Sequence, residues 1–82
     1  MNVVLSKDAH KQYNRLPKSE HAKIRKKLIA LGQDPYSGKK LEGELEDFRS
    51  LRAWPYRILY EINEKKNRVE IHKIAHRQGI YK

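Results

Sequence analysis

The stretch Leu51–Ile62 (Leu-Arg-Ala-Trp-Pro-Tyr-Arg-Ile-Leu-Tyr-Glu-Ile) decides how this chain folds. Its second half carries an apolar or aromatic side chain at every second position, namely Tyr56, Ile58, Tyr60 and Ile62. This period of two is typical of a strand with one buried face. Arg57 lies inside that strand, where a cation is costly unless it reaches solvent or an anionic partner. Because Trp54-Pro55 interrupts the pattern, the stretch predicts two strands joined at a corner.

The same period sets the bounds of the strand before the corner and predicts one further strand after it. Phe48–Ala53 forms the strand before the corner, and Arg68–Ala75 follows the polar hairpin loop Asn63–Asn67. The apolar positions of the last strand change parity part-way along it. That change indicates either a bulge or a strand buried on both faces.

The first forty residues predict a strand and two helices. Asn2–Leu5 is a β-branched run typical of a strand, and Ser6 is placed to cap the helix that follows it. Pro17 ends this first helix, and a second helix is expected between a cap at Ser19 and a stop at Gly32. Residues 33–40 carry Asp-Pro and Ser-Gly signals and are predicted to be a loop.

The resulting order of elements is β-α-α-β-β-β. It predicts an α+β fold in which a helical hairpin packs on one face of a small antiparallel sheet. Residues 1–82 are expected to form a single domain, because a chain of this length has no room for a second core.

Composition limits the location and the partners of the chain. Nineteen Lys and Arg against ten Asp and Glu give a formal net charge of +9, which favours nucleic acid or, as an alternative, an acidic protein. The absence of cysteine fits a reducing cytoplasm and excludes thiolate metal sites. No apolar run approaches the roughly 18 residues that a membrane span needs, so no membrane partner is expected.

No metal or other cofactor is expected either. His72 and His76 are four residues apart on a predicted strand. That spacing puts them roughly 13 Å apart, which is too far for both to bind one ion.

The sheet face away from the helices is the predicted binding surface. It can display Arg49 or Arg52, Arg57, and residues near Lys73 and Arg77 across the last hairpin. Guanidinium groups bind phosphates in a bidentate manner, and aromatic rings stack on unpaired bases. The alternative for each cation is an ordinary solvated surface position.

Several short motifs together resemble the RelE/ParE superfamily of toxins. They are Leu51-Arg52, then Tyr56-Arg57-Ile58-Leu59-Tyr60-Glu61-Ile62, then Ala75-His76-Arg77 and Ile80-Tyr81. Upstream, Lys40-Leu41-Glu42-Gly43 is similar to the Lys-Leu-x-Gly turn of that family. The resemblance covers nearly the whole chain, and it implies a type II toxin neutralised by a cognate antitoxin protein.

For RelE-like members, the resemblance implies metal-independent cleavage of mRNA in the ribosomal A site. It implies that Arg57 holds the scissile phosphate, that Arg77 neutralises charge, and that Tyr81 orients a base. His76 is the best candidate for a general base, since imidazole titrates near neutral pH. Arg49, Arg52, Lys73 and Lys40 are the expected RNA-binding cations, with mRNA and ribosomal RNA as the ligands.

The chain departs from RelE at the strand before the corner. Phe48 and Ser50 occupy the positions nearest to two lysines of RelE, and Lys39 occupies the position of a glutamate base in other relatives. Two alternatives therefore stay open. One is a ParE-like toxin that inhibits DNA gyrase without cutting nucleic acid, and the other is a degenerate member that only binds antitoxin or RNA.

Overall fold

A computed structural model describes residues 1–80 as two helices lying on a five-stranded sheet. The elements are β1 (Asn2–Leu5), α1 (Lys7–Arg15), α2 (Lys18–Gln33), β2 (Lys39–Lys40), β3 (Arg49–Ala53), β4 (Tyr56–Asn63) and β5 (Arg68–His76). Short 3₁₀ turns at Pro35–Ser37 and Gly43–Leu45 flank β2. No helix of the described residues is long and apolar enough to cross a membrane.

The strands lie in the order β1-β5-β4-β3-β2. Neighbours pair antiparallel except β1 and β5, which run parallel, so the sheet is mostly rather than wholly antiparallel. The parallel pair exists because β1 joins the edge beside the last strand, a long-range pairing that no local pattern encodes. β2 was also not predicted, since its two residues lie within the expected loop.

Both helices pack on one face of this sheet, as the sequence predicts. Helix residues Ala9, Ile24 and Leu31 are fully buried there. The strand residues in the same core cluster are Ala53, Ile58, Tyr60, Val69, Ile71 and Ile74. The alternation along β4 therefore separates a core face from the opposite face of the sheet.

The helix ends follow the sequence only in part. Ser6 caps α1, and its Oγ accepts a hydrogen bond from the backbone N–H of Ala9 at 3.0 Å. Ser19 is not a cap, because α2 already begins at Lys18 with no side-chain cap at all. Gly32 does not stop α2 but lies within it, where an added Cβ would approach the carbonyl oxygen of Met1 to 3.0 Å. Glycine thus suits this position, where α2 comes close to the start of the chain and a Cβ would need the neighbouring atoms to shift slightly.

The parity change in β5 is a bulge. Leu59 pairs with Lys73 and Tyr60 with Ile71, which leaves His72 as the extra residue between two successive backbone pairs. The backbone of β5 next to this bulge is satisfied by α1, whose Gln12 Oε1 accepts from the N–H of Ile74 at 2.8 Å. The bulge lets Val69, Ile71 and Ile74 reach the same core.

Candidate functional site

The centre of the site is a pair of arginines on the sheet face away from the helices, which we call the open face. Arg52 of β3 lies directly opposite Arg57 of β4. Their neighbours Leu51 and Ile58, which form the next pair, alternate to the helix-packed side. Like charges placed opposite each other on neighbouring strands destabilise a sheet, so this pair is unfavourable for folding alone.

No carboxylate among residues 1–80 compensates the arginine pair. The ion pairs of the described chain join Lys23 to Glu20, Arg68 to Glu70, and His72 to Glu61. Neither Arg52 nor Arg57 takes part in them. A cation pair without a local counter-ion is suited to bind an external anion.

A concave pocket of about 350 Å³ lies at this pair. It is lined by Ser37, Gly38, Lys39, Ser50, Leu51, Arg52 and Arg57. Ser50 is 5% exposed, and its Oγ has no hydrogen-bond partner among the described residues. A buried hydroxyl without a partner costs free energy, but the Ser50 Oγ is shielded from solvent, so a ligand in the pocket reaches it only after a local rearrangement.

Lys39 is a residue of this pocket that the sequence did not identify. It pairs with Ser50 across β2 and β3, which places it on the open face with the arginines. The two-residue strand that orients it is too short to give a periodic signal. The pattern alone could not distinguish Lys39 from Lys40.

The other end of the open face is neutralised internally. Glu61 and Glu70 are opposite each other, and they are paired with His72 and Arg68 respectively. Hydrogen bonding from Arg68 holds the pKa of Glu70 below its ordinary value of 4.5. The ligand atoms of Glu61, Glu70 and His72 lie within 4.8 Å of one another; Glu70 is ion-paired with Arg68, and Glu61 contacts His72 Nε2 at 3.2 Å. Among the described residues, the arginine pair thus lies at the end of the open face away from these carboxylates.

Two of the predicted RNA-binding cations do not lie on the open face. Arg49 pairs with Tyr60, a core residue, so it shares the helix-packed side, and Lys40 is its opposite neighbour there. The Arg49 guanidinium donates to the carbonyl oxygen of Gly38 at 2.9 Å and lies 5.1 Å from the centre of the Tyr36 ring. Arg49 therefore has a visible structural role, which is to hold the loop before β2.

Arg52 and Lys73 do lie on the open face, as the sequence predicts. Lys73 pairs with Leu59, which lies two residues after Arg57 on β4 and therefore on the same face as Arg57. Arg52, Arg57, Lys73 and Lys39 thus form one cationic surface across four strands.

His76 is not brought to Arg57. It pairs with Tyr56 on the helix-packed side, where the two rings meet edge to face at 6.0 Å, whereas Arg57 pairs with Ala75. His76, the residue predicted as a general base, therefore lies on the opposite side of the sheet from Arg57, because the bulge shifts the parity of every later residue of β5.

Arg77 lies at the β3–β4 corner. Its backbone N–H donates to the carbonyl oxygen of Pro55 at 2.9 Å, and its guanidinium carbon is 4.8 Å from the centre of the Trp54 ring. Arg77 is therefore next to the end of β4 that carries Arg57. Tyr81, the remaining predicted site residue, lies outside the described residues.

Comparison with known proteins places this arrangement in a family. Residues 3–81 match the family described as the ParE toxin of the type II toxin-antitoxin system parDE. This chain belongs to the RelE/ParE superfamily of type II toxins. The resemblance that the Tyr-Arg strand and the His-Arg motif indicated is confirmed.

Individual relatives of this toxin carry RelE names. A RelE toxin of Mycobacterium tuberculosis is 42% identical over 45 residues, which are 55% of this toxin and 46% of that relative. The matched segment thus spans about half the length of the curated relative.

Solved structures extend the similarity over nearly the whole toxin. The RelBE2 toxin-antitoxin complex of Mycobacterium tuberculosis superposes with a TM-score of 0.86 at 29% identity, covering 93% of this toxin and 96% of that chain. An archaeal RelE–RelB complex from Pyrococcus horikoshii OT3 gives 0.77 at 26% identity, covering 95% and 96%. The predicted α+β fold of two helices on one sheet face is confirmed.

Proposed function

We propose that this toxin is a ribosome-dependent endoribonuclease that cuts mRNA in the A site without a metal. The observation that carries the proposal is the Arg52–Arg57 pair over a pocket with the unpartnered Ser50 hydroxyl. A phosphodiester is the anion that fits such a pocket, because it accepts several charge-assisted hydrogen bonds at once.

In the proposed reaction, the 2′-oxygen of a ribose attacks the adjacent phosphorus. The 2′-hydroxyl gives its proton to solvent, and the 5′-oxygen of the next nucleotide leaves and takes a proton from solvent, which yields a 2′,3′-cyclic phosphate and a 5′-hydroxyl. Negative charge accumulates on the phosphorane oxygens in the transition state, where Arg57, Arg52 and Lys39 stabilise it. Arg77 at the neighbouring corner adds positive charge on the side of the leaving group. Tyr81 remains the proposed residue that orients a base.

His76 is not the general base in the proposed reaction. Because His76 lies on the other side of the sheet from Arg57, we assign the open face to charge stabilisation rather than to imidazole catalysis. Correct positioning of the 2′-oxygen is then supplied by the ribosome, since orientation alone lowers reaction barriers strongly. His76→Gln is expected to retain most of the activity and the wild-type pH profile.

The proposed partners are mRNA on the ribosome and a cognate antitoxin. The relatives from Mycobacterium tuberculosis and Pyrococcus horikoshii were solved as complexes with antitoxins. For this toxin, an acidic antitoxin segment that folds across the arginine pair would compete with RNA for the same charges.

The direct test is a cleavage assay with programmed ribosomes and mapping of RNA 5′ ends. Wild type is expected to cut within the A-site codon, and Arg57→Ala to lose at least about a hundredfold, the usual cost of removing one transition-state donor. Arg15→Ala is the matched control, because Arg15 is an exposed arginine of α1 on the other side of the sheet. Equal cleavage by wild type and Arg57→Ala, or none by wild type, would refute the proposal.

The second candidate is gyrase inhibition, because the matching family bears the ParE description. A supercoiling assay separates the two activities. Loss of supercoiling with intact mRNA favours the ParE-like function. A degenerate member would leave both reactions, and cell growth on expression, unaffected.

A further inference from the structure

Trp54 is the exposed aromatic residue next to the arginine pair. It is the only tryptophan of the chain, and 55% of its surface is exposed. Single exposed apolar side chains are common on protein surfaces and need no ligand. What distinguishes Trp54 is its position beside the arginine pair and its contact with Arg77.

The ring of Trp54 is held in place from its backbone and from one face. Lys23 Nζ of α2 donates to the Trp54 carbonyl oxygen at 2.8 Å, and the Arg77 N–H fixes the adjacent Pro55 at 2.9 Å. The Arg77 guanidinium lies 4.8 Å from the ring centre, within the range of a cation–π contact. With Arg77 near one face and 55% of the residue exposed, the indole has surface left for a second stacking partner.

Trp54 follows β3 directly, at the end of the strand pair that carries Arg52 and Arg57. Ala53 pairs with Tyr56 to close the corner, and Arg52 with Arg57 is the next pair inward. Trp54 is the second residue after Arg52, which puts the two roughly 7 Å apart along an extended chain. A single-stranded nucleic acid whose phosphate lies on the arginine pair thus has a neighbouring base within reach of the indole.

Tyr36 provides an internal comparison. It is 51% exposed and also carries an arginine, Arg49, at 5.1 Å from its ring. Its hydroxyl, however, donates to the Glu64 carboxylate at 2.6 Å, and that bond raises the pKa of Tyr36. A carboxylate at the ring edge repels a phosphate backbone, whereas the polar contacts of Trp54 are with cationic side chains.

We propose that Trp54, backed by Arg77, is a stacking shelf for one base of the RNA whose phosphate is held by Arg52 and Arg57. This inference rests on the proposed function and adds a substrate-positioning residue to it. Aromatic stacking accepts every base, because each base has a π-face. The shelf therefore fixes the register of the strand without selecting a sequence.

The fluorescence of the single tryptophan reports on the shelf directly. The probe is a short RNA with 2′-deoxy substitution at the cleavage position, and the matched control is the same backbone with abasic sites. The base-bearing probe is expected to quench Trp54, and the abasic probe to bind through its phosphates without quenching. Equal quenching by both probes, or quenching only by an acidic antitoxin segment, would overturn the shelf.

Kinetics on programmed ribosomes separate positioning from chemistry. Trp54→Ala is expected to raise the half-saturating toxin concentration about 5- to 140-fold, the value of one stacked base, with an unchanged cleavage rate at saturation. Trp54→Phe keeps an aromatic face and is expected to remain within about threefold of wild type, as is the matched control Tyr36→Ala.

The outcomes for the shelf and for the ribonuclease are distinct. If Trp54→Ala saturates like wild type while Arg57→Ala fails to cut, the shelf is wrong and the nuclease stands. If wild type never cuts but only the base-bearing probe quenches Trp54, the nuclease is wrong and the shelf stands as an RNA contact. Circular dichroism of each variant checks that the fold is retained.

Discussion

Arg57→Met should make the toxin more stable while it abolishes the proposed cleavage. Arg57 faces Arg52 across β3 and β4 without a carboxylate partner among the described residues. Methionine keeps an unbranched stem of similar reach over the sheet, so the packing changes little. The perturbation therefore removes mainly the repulsion between the two guanidinium groups.

The expected gain follows from the cross-strand geometry. Directly opposed side chains on a sheet interact by about 0.2–1 kcal/mol, with the unfavourable sign for like charges. With a urea slope of about 1–3 kcal/mol/M, the unfolding midpoint should rise by about 0.1–1 M. For a domain of this size the same gain raises Tm by about 1–8 °C. The difference should shrink as salt screens the exposed part of the pair.

The assay is urea unfolding at low and high ionic strength, followed by circular dichroism. Lys66→Gln is the control, because it removes one charge from the exposed hairpin loop, away from any directly opposed cation. Added phosphate should stabilise wild type more than Arg57→Met, since the variant lacks one arginine of the proposed binding site. A variant less stable than wild type at low salt would refute the reasoning, because the pair would then be favourable for folding.

Two further predictions concern the supports of the site. Tyr60→Phe should destabilise the toxin by about 1–4 kcal/mol, because the buried hydroxyl accepts from the Gly38 N–H at 2.9 Å and donates to the Pro35 carbonyl at 2.7 Å. Thermal unfolding measures the loss of stability, and hydrogen exchange at Gly38 measures the loss of the hydrogen bond. An unchanged Gly38 exchange rate would contradict the prediction. Since the pKa of Glu70 is lowered in the folded state by Arg68, the stabilisation from this carboxylate should be present above pH 4.5 and disappear as the pH falls below that value. The stability of Glu70→Gln should therefore depend less on pH in that range. Identical dependence of stability on pH in the variant and in wild type would exclude Glu70 as the cause.

The sequence predicts the helix-packed core well because that core is encoded locally. The alternation from Tyr56 to Ile62 determines which side of β4 packs against the helices, although Leu59 on the opposite face is buried as well. The same parity correctly sends Arg57 to the open face. A period of two is a direct consequence of strand geometry, so it requires no knowledge of the neighbouring strands.

The remainder of the site depends on pairings that no local pattern contains. Lys39 lies in the pocket and Arg49 lies outside it because a two-residue strand joins β3 in one particular register. Shifting that register by one residue would exchange the faces of Lys39 and Lys40. The partner of such a short strand is chosen by tertiary contacts, here the loop held by Tyr60 and Arg49.

The bulge at His72 determines which chemistry the open face can perform. Without it, the parity set by Val69 and Ile71 would bring His76 to the face of Arg57 and turn Lys73 into the core. With the bulge, Lys73 lies on the face of the arginines and His76 lies on the other face. A single extra residue in β5 thus exchanges a group that can accept a proton near neutral pH for one that only carries charge. Among the described residues, the arginine end of this face can stabilise a phosphorane, whereas His72 and the carboxylates Glu61 and Glu70 lie at its other end. The proposed cleavage therefore relies on the ribosome to align the attacking oxygen.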